Sequence, residues 1–361
     1  MNKQHGGDIE GAAKKYNLCR EDIIDFSANI NFIGPPPQLY QKLQNELKLI
    51  EDYPQPNSEN LRCRLAQKYG FTADNYILGN GAVELIYLLI SVLEPDYSLI
   101  LAPTFSEYEK ALNSKGSDIK YHYLNKSNKF KIDVEKLKKD ISQDIDLCIL
   151  CNPNNPTGNF IDRDTIFNIL KYNKKRGIYT IIDEAFVDFM NRDISAVSLL
   201  KKYDNLFVLR SLTKIFAIPG LRLGFGIGQK NIINKMYDHK DPWNVNIMAQ
   251  RAGELLLKQK QYIKHTKISV NKEKKFLYNY LKKYKGLDVY YPNANYIFID
   301  ISDLNITAQH LCNKLAKRAI LIRDCSNYRG LNNNFIRIAV KKREHNLKFL
   351  EQLDRIFHNM K

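Results

Sequence analysis

A lysine stands at the end of an apolar run, among groups that can hold a phosphate. Lys214 follows the run NLFVLR, and Ser211, Thr213 and Arg222 flank it in the segment SLTKIFAIPGLRLGF. A lysine amine condenses with an aldehyde, and an arginine fork binds a phosphate bidentately. The segment therefore suits an aldehyde cofactor that bears a phosphate. A surface lysine after a strand would give the same local pattern.

Two further polar side chains follow apolar runs. Asp183 ends the run IYTIID, and a buried carboxylate is costly unless it is paired. It can face a protonated ring nitrogen, cap a helix or bind a metal. Asn155 lies in CNPNNPTGNF, whose Asn-Pro and Thr-Gly pairs predict a tight turn. Its amide could reach a phenolic oxygen of a cofactor.

A glycine loop, LGNGAVELI, connects a predicted strand to a predicted helix. The backbone amides at such a helix N-terminus form an anion site. The loop lacks the lysine of an ATP-binding P-loop, so ATP is not indicated. The stretch GFGIG at 224–228 lacks the spacing of a dinucleotide-binding fingerprint, and we interpret it as a close-packed strand.

Strand-like and helical runs alternate through the first two thirds of the chain, which predicts an α/β fold. The strands should form a mainly parallel sheet with helices on both faces, with ligands at the strand carboxyl ends. A long helical region at 244–285 and shorter strands then predict a smaller α+β domain. We expect three parts: an arm at 1–45 that packs on the small domain, a large domain at 46–240 and a small domain at 241–361. The active site should lie between them.

The formal net charge of +16 raises nucleic acid as a partner. The lysines are spread along the chain, however, as is typical of solvated helix faces, so nucleic-acid binding is not favoured. A positive field could instead draw in an anionic substrate. No apolar run is long enough to span a membrane.

Six cysteines are scattered rather than arranged as a framework, which favours a reducing, cytoplasmic compartment. Cys148 and Cys151 form a CxxC within the apolar run LCILC. Residues three apart on a strand point to opposite faces, so this pair indicates neither a shared metal nor a redox centre. The sequence gives no other indication of a metal site.

Taken in order, the glycine loop, NPTG, Asp and lysine motifs resemble the fold-type-I aminotransferase superfamily over essentially the whole chain. The resemblance implies that Lys214 binds pyridoxal 5′-phosphate covalently, that Asp183 pairs with its ring nitrogen and that Asn155 bonds its ring oxygen. It also implies a phosphate cup and a stacking ring, formed by Ser211, Thr213, Arg222, Gly81, Ala82, Val83 and Phe105. Tyr53, in EDYPQP, matches a tyrosine given to the neighbouring subunit's phosphate site, which implies a homodimer.

Four segments are similar to the threonine-phosphate decarboxylases of cobalamin biosynthesis: HGGDIEGAAKKY, DFSANIN, RSLTKIFAIPGLRLG and LIRDCSNYRGL. That resemblance implies decarboxylation of L-threonine O-3-phosphate to (R)-1-amino-2-propanol O-2-phosphate, with Lys214 returning a proton to Cα. L-Serine O-phosphate, one methyl smaller, would give ethanolamine phosphate. The implied substrate contacts are His5, Gly6, Asn29, Arg323 and Arg337.

Histidinol-phosphate aminotransferases share most of these motifs and are the alternative interpretation. These aminotransferases usually carry Tyr at the position of Phe186 in DEAF, whereas Phe is usual in the decarboxylases. A non-enzymatic basic binding protein on the same scaffold is the third alternative. Covalent cofactor binding at Lys214 would exclude this third alternative.

Overall fold

The computed structural model describes residues 5–141 and 144–358. Its α-helices are α1 (Ile9–Tyr16), α2 (Pro37–Asn45), α3 (Glu59–Tyr69), α4 (Ala82–Leu93), α5 (Glu107–Asn113), α6 (Val134–Asp140), α7 (Arg163–Lys174), α8 (Leu212–Ile215), α9 (Lys230–Asp238), α10 (Ile247–Leu256), α11 (Lys260–Leu281), α12 (Ala308–Ala316) and α13 (Arg343–His358). Its β-strands are β1 (Ile24–Asp25), β2 (Tyr76–Asn80), β3 (Tyr97–Ala102), β4 (Asp118–Tyr123), β5 (Leu147–Cys151), β6 (Tyr179–Asp183), β7 (Leu206–Ser211), β8 (Leu223–Ile227), β9 (Asp288–Val289), β10 (Tyr296–Asp300), β11 (Ile320–Leu321), β12 (Arg323–Asp324) and β13 (Phe335–Ala339).

A seven-stranded sheet forms the centre of the fold, in the order β2-β8-β7-β6-β5-β3-β4. The five strands from β7 to β4 run parallel, and β8 is antiparallel to both its neighbours. Strands such as β5 are buried at every residue because helices cover both faces. Cys148 packs into the hydrophobic core on one face and Cys151 into the core on the other. The prediction of a mainly parallel, helix-flanked sheet is confirmed.

Two glycines explain why β8 fits between its neighbours. A Cβ at Gly226 would lie 2.1 Å from the ring of Phe207, and one at Gly224 would lie 2.4 Å from the amide nitrogen of Ala82. Only residues without a side chain allow such approaches. The GFGIG stretch is therefore a close-packed strand, and Gly224 brings β8 against the start of α4.

A second, antiparallel sheet has the order β12-β13-β10-β9 and packs against α12 and α13. The N-terminal arm joins this region, because β1 pairs in parallel with β11 and Phe26 lies in the same core. The run AILIRDC is thus divided between two sheets rather than forming one strand. The helical region expected at 244–285 is two helices, α10 and α11.

The boundaries expected at residues 45 and 240 stay predictions, and the outer ends 1–4 and 359–361 lie outside the described residues. Within the described residues, no helix is both long enough and apolar enough to cross a membrane.

Candidate active site

A cavity of about 390 Å³ lies where the carboxyl ends of the parallel strands meet the arm and the second sheet. Fifteen of the predicted site residues line it: His5, Gly6, Asn29, Gly81, Ala82, Val83, Phe105, Asn155, Asp183, Ser211, Thr213, Lys214, Arg222, Arg323 and Arg337. The structure therefore brings together residues from the arm, the large sheet and the C-terminal strands. Their individual chemical roles stay predictions.

Lys214 lies on α8, the single helical turn that follows β7. Burial, together with the positive charges of Arg222 and Arg337, lowers the pKa of its amine to about 8. The arm fixes this turn, because the backbone N–H of Asn31 donates to the carbonyl oxygen of Lys214 at 3.2 Å. An amine with a lowered pKa is more often in the unprotonated form that attacks an aldehyde.

We expect the rate at which the cofactor-free protein captures pyridoxal to rise with pH to a half-maximum near pH 8. The reactive form is the free amine, and the pKa of Lys214 is lowered to about 8 from the ordinary 10.5. Pyridoxal lacks the phosphate, so no phosphate ionisation distorts the profile. A half-maximum near pH 10.5, measured from visible absorbance, would contradict this view of the pocket.

Asp183 is buried at the end of β6, and both its oxygens accept hydrogen bonds. The hydroxyl of Tyr108 donates to Oδ2 at 2.6 Å, and the backbone N–H of Ala185 donates to Oδ1 at 2.9 Å. Burial raises the pKa of Asp183, and these two bonds and the charge of Lys214 do not offset it. The neighbouring groups therefore do not fully compensate the negative charge of the buried carboxylate. A protonated ring nitrogen would supply the missing positive charge.

Asn155 is oriented by two residues of the C-terminal region. Arg337 Nη1 donates to Asn155 Oδ1, and the hydroxyl of Tyr328 donates to the same oxygen at 3.3 Å. Because a guanidinium only donates, the atom that faces it must be the amide oxygen. The amide nitrogen of Asn155 is thereby the atom available to donate to a ring oxygen.

The glycine loop and Arg222 form a small cradle at the start of α4. Gly81 has a φ of +80°, and a Cβ there would lie 2.4 Å from Arg222 Nη2. Arg222 itself has a φ of 59°, a conformation that is costly for a residue with a side chain and that persists only where its surroundings impose it. Ser211 Oγ and Thr213 Oγ1 lie 2.8 Å apart beside this cradle. These donors suit a phosphate.

The residues predicted to bind substrate come from the arm and from two C-terminal arginines, and all of them line the cavity. Arg337 Nη2 donates to the carbonyl oxygen of Ser27 at 2.8 Å, and Arg323 Nη2 donates to Asn327 Oδ1 at 2.7 Å. The buried Asn29 Oδ1 has no hydrogen-bond partner among the described residues. His5 Nε2 bonds Glu107 Oε1 at 2.8 Å.

Tyr53 is the one predicted site residue that the structure places outside this cavity. Its side chain is 80% exposed, and its ring stacks on Trp243 with 5.0 Å between the ring centroids. It is not among the described residues that line the cavity. The lining residues that the sequence reasoning missed include Glu107, Tyr108 and Tyr328, whose side chains bond predicted site residues.

Comparison with known proteins gives consistent matches over nearly the full length. Residues 21–353 match the family described as aminotransferase class I and II. A Caldanaerobacter subterraneus protein provisionally named a threonine-phosphate decarboxylase is 37% identical, with 97% of this chain and 93% of that protein covered. The threonine-phosphate decarboxylase of Salmonella typhimurium is 34% identical, with 98% and 96% covered. The solved histidinol-phosphate aminotransferase of Clostridium acetobutylicum is 34% identical, with a TM-score of 0.86 and 92% and 99% covered.

A mainly parallel sheet with a lysine at its carboxyl edge defines a fold-type-I enzyme. The chain belongs to the aminotransferase class I and II family, whose members depend on pyridoxal phosphate. The residues present fit that cofactor: a reactive amine at Lys214, a carboxylate short of positive charge at Asp183, and a phosphate cradle at Gly81 and Arg222.

Proposed function

We propose that this chain decarboxylates L-threonine O-3-phosphate to (R)-1-amino-2-propanol O-2-phosphate for cobalamin biosynthesis, with pyridoxal phosphate bound at Lys214. One observation carries the proposal: the cavity that contains Lys214 also gathers two arginines, Arg323 and Arg337, and the arm residues His5 and Asn29. The proposed substrate has two anionic groups, a carboxylate and a phosphate. Two fork-shaped guanidinium groups suit both.

The anchoring of the substrate determines which bond breaks. The Cα bond that breaks would be the one that the electron sink can stabilise, so a decarboxylase would hold another group of the substrate and leave the carboxylate free to depart as carbon dioxide. The phosphate provides this anchor, and Arg323, Arg337, His5 and Asn29 are the groups that can hold it. Bound pyridoxal phosphate supplies the electron sink for the pair that remains at Cα.

Protein groups then complete the reaction. Once released from the cofactor, Lys214 would be an amine within the cavity whose protonated form gives a proton to Cα as a general acid. Asp183 would hold the ring nitrogen in its protonated form, and Asn155 would donate to the ring oxygen. Phe186 packs edge-on against Tyr296, with 5.1 Å between the ring centroids. Because phenylalanine has no hydroxyl, Asn155 would donate to the cofactor ring oxygen without help from residue 186.

Two assays separate the proposal from its main alternative, which the 34% identity to the Clostridium acetobutylicum histidinol-phosphate aminotransferase supports. With L-threonine O-3-phosphate we expect release of carbon dioxide. With histidinol phosphate and 2-oxoglutarate we expect no glutamate. Glutamate without carbon dioxide would overturn the proposal. L-Serine O-phosphate should react more slowly, since one methyl group is worth about 1–3 kcal/mol in a pocket.

The proposed assembly is a homodimer in which Tyr53 reaches the neighbouring subunit's phosphate site. Its support is a set of large apolar side chains that are 45–80% exposed, four of them within residues 40–53 and the fifth, Trp243, packed on Tyr53: Tyr40, Leu47, Ile50, Tyr53 and Trp243. Exposed apolar surface of this kind marks interaction sites. Sedimentation equilibrium should give twice the 42.0 kDa chain mass, and Ile50→Asp should favour the monomer. A wild-type monomer would exclude this arrangement.

The proposed location is the cytoplasm. All six cysteines lie in the described ranges and are free thiols, and several are exposed or partly exposed. Free thiols persist in a reducing compartment. The proposed partners are thus a small phosphorylated amino acid and a second copy of the chain, and neither nucleic acid nor membrane.

A further inference from the structure

Glu107 is a carboxylate in the wall of a cavity that otherwise gathers positive charge. It lies at the first residue of α5 and is 9% exposed. Among the described residues that line the cavity, Glu107 and Asp183 are the acidic ones. A negative group at this position would repel an anionic substrate unless nearby positive groups neutralise it.

Three groups bind the two oxygens of Glu107. Lys110 Nζ donates to Oε1 at 2.6 Å, His5 Nε2 bonds the same oxygen at 2.8 Å, and the hydroxyl of Tyr87 donates to Oε2 at 3.0 Å. Burial alone would raise the pKa of Glu107, but these bonds lower it overall. The group is therefore a carboxylate, and because a carboxylate only accepts, the proton of the His5 bond lies on Nε2.

The same contact holds the N-terminal arm across the mouth of the cavity. His5 belongs to the arm, whereas Glu107 lies on a helix of the large sheet. The next two residues fit tightly: a Cβ at Gly6 would lie 2.3 Å from the carbonyl oxygen of Ser27, and the N–H of Gly7 donates to Ser27 Oγ at 2.9 Å. The described start of the arm, residues 5–7, is thus fixed at two points, Ser27 and Glu107, and the Glu107 contact joins it to a helix of the large domain.

We infer that Glu107 is a positioning residue for the substrate phosphate: it fixes the imidazole of His5 over the cavity and keeps the arm closed. Its bond at Nε2 leaves Nδ1 as the ring atom that can meet a ligand, and Nδ1 donates to a phosphate oxygen when the ring carries its second proton as the imidazolium. Lys110 neutralises the carboxylate so that it does not repel the phosphate. This inference rests on the proposed function and explains how the arm would recognise the substrate phosphate.

The test compares kinetics and hydrogen exchange in the pyridoxal-phosphate-loaded enzyme. Glu107→Ala should raise KM for L-threonine O-3-phosphate about tenfold, as expected for loss of a charge-assisted hydrogen bond, and leave kcat within about twofold. Glu107→Gln keeps an acceptor for His5 and should raise KM less. Glu10→Gln, which changes an exposed arm glutamate paired with Arg20, is the matched control and should change neither value.

A double-mutant cycle with His5→Ala isolates the contact. If Glu107 acts through His5, the double variant should have about the same KM as His5→Ala alone, because each change removes the same interaction. Independent, multiplying effects would overturn the inference. So would a fall in kcat or in cofactor absorbance for Glu107→Ala, since either would place Glu107 in the cofactor site or in the fold.

Hydrogen exchange separates this inference from the proposed function. Glu107→Ala and His5→Ala should both speed exchange at the amides of 6–12, measured without substrate. If exchange were faster in both variants but the wild-type enzyme released no carbon dioxide, the inferred arm contact would stand and the proposed decarboxylase activity would be rejected. Unchanged exchange in both variants would reject the contact whatever the substrate.

Discussion

Lys214→Ala is expected to abolish the visible absorbance of bound pyridoxal phosphate and to lower kcat at least about a thousandfold. Removing a proton-transfer group alone typically costs a hundredfold to ten-thousandfold, and here the same amine also binds the cofactor. The neighbours of Lys214 favour both tasks, because burial and the charges of Arg222 and Arg337 keep its pKa near 8. Absorbance spectra and carbon dioxide release measure the two losses separately.

The chain contains a matched control for this experiment. Lys274 is also buried, and burial lowers its pKa to about 8 as well. It lies on α11, donates to the carbonyl oxygen of Asn293 at 3.3 Å and does not line the cavity. Lys274→Ala should keep the absorbance and the kcat of the folded enzyme. If both variants lost the cofactor absorbance equally, the loss would follow from removing a buried lysine of lowered pKa and not from its position. Lys214 could then not be assigned as the residue that binds the cofactor.

The sequence was sufficient to predict elements whose signal is local. Alternating apolar runs and amphipathic stretches predicted the mainly parallel sheet, and the glycines of GFGIG predicted a close-packed strand. The direction of β8 was not predictable, because parallel and antiparallel central strands are equally apolar. The division of AILIRDC between two sheets was missed because its first half pairs with β1, near the other end of the chain, whereas its second half pairs with the nearby β13.

Within the site, motif residues were predictable and the residues that orient them were not. Asp183 and Asn155 follow strands and stand in recognisable segments. Tyr108, which bonds Asp183, is 75 residues away from it, and Tyr328, which bonds Asn155, is 173 residues away. Such pairs form only when distant elements meet in the fold. Glu107 gave no signal because an acidic first helical turn is ordinary.

Asp183→Asn should lower kcat about a thousandfold while leaving the folded protein at least as stable as the wild type. Asparagine keeps the shape of the side chain and removes the charge, so a protonated ring nitrogen loses its partner and the electron sink weakens. Burial raises the pKa of Asp183, so the cofactor-free protein gains nothing from the charge. Urea unfolding of the cofactor-free protein and carbon dioxide release of the loaded enzyme measure the two effects.

The adjacent carboxylate should give the opposite result. Glu184 accepts from Arg210 Nη1 at 2.8 Å and from the N–H of Ala196 at 2.6 Å, and it does not line the cavity. Glu184→Gln replaces a charge-assisted hydrogen bond to the buried guanidinium, which keeps Asp188 as its remaining carboxylate partner at 2.8 Å, and should cost about 1–3 kcal/mol of unfolding free energy, with kcat per folded molecule unchanged. The variants Asp183→Asn and Glu184→Gln remove the same kind of charge at adjacent positions whose side chains face opposite ways. Comparing them therefore shows whether position determines the effect. If Glu184→Gln lowered kcat without changing stability, then Glu184 and not Asp183 would be the carboxylate that contacts the cofactor.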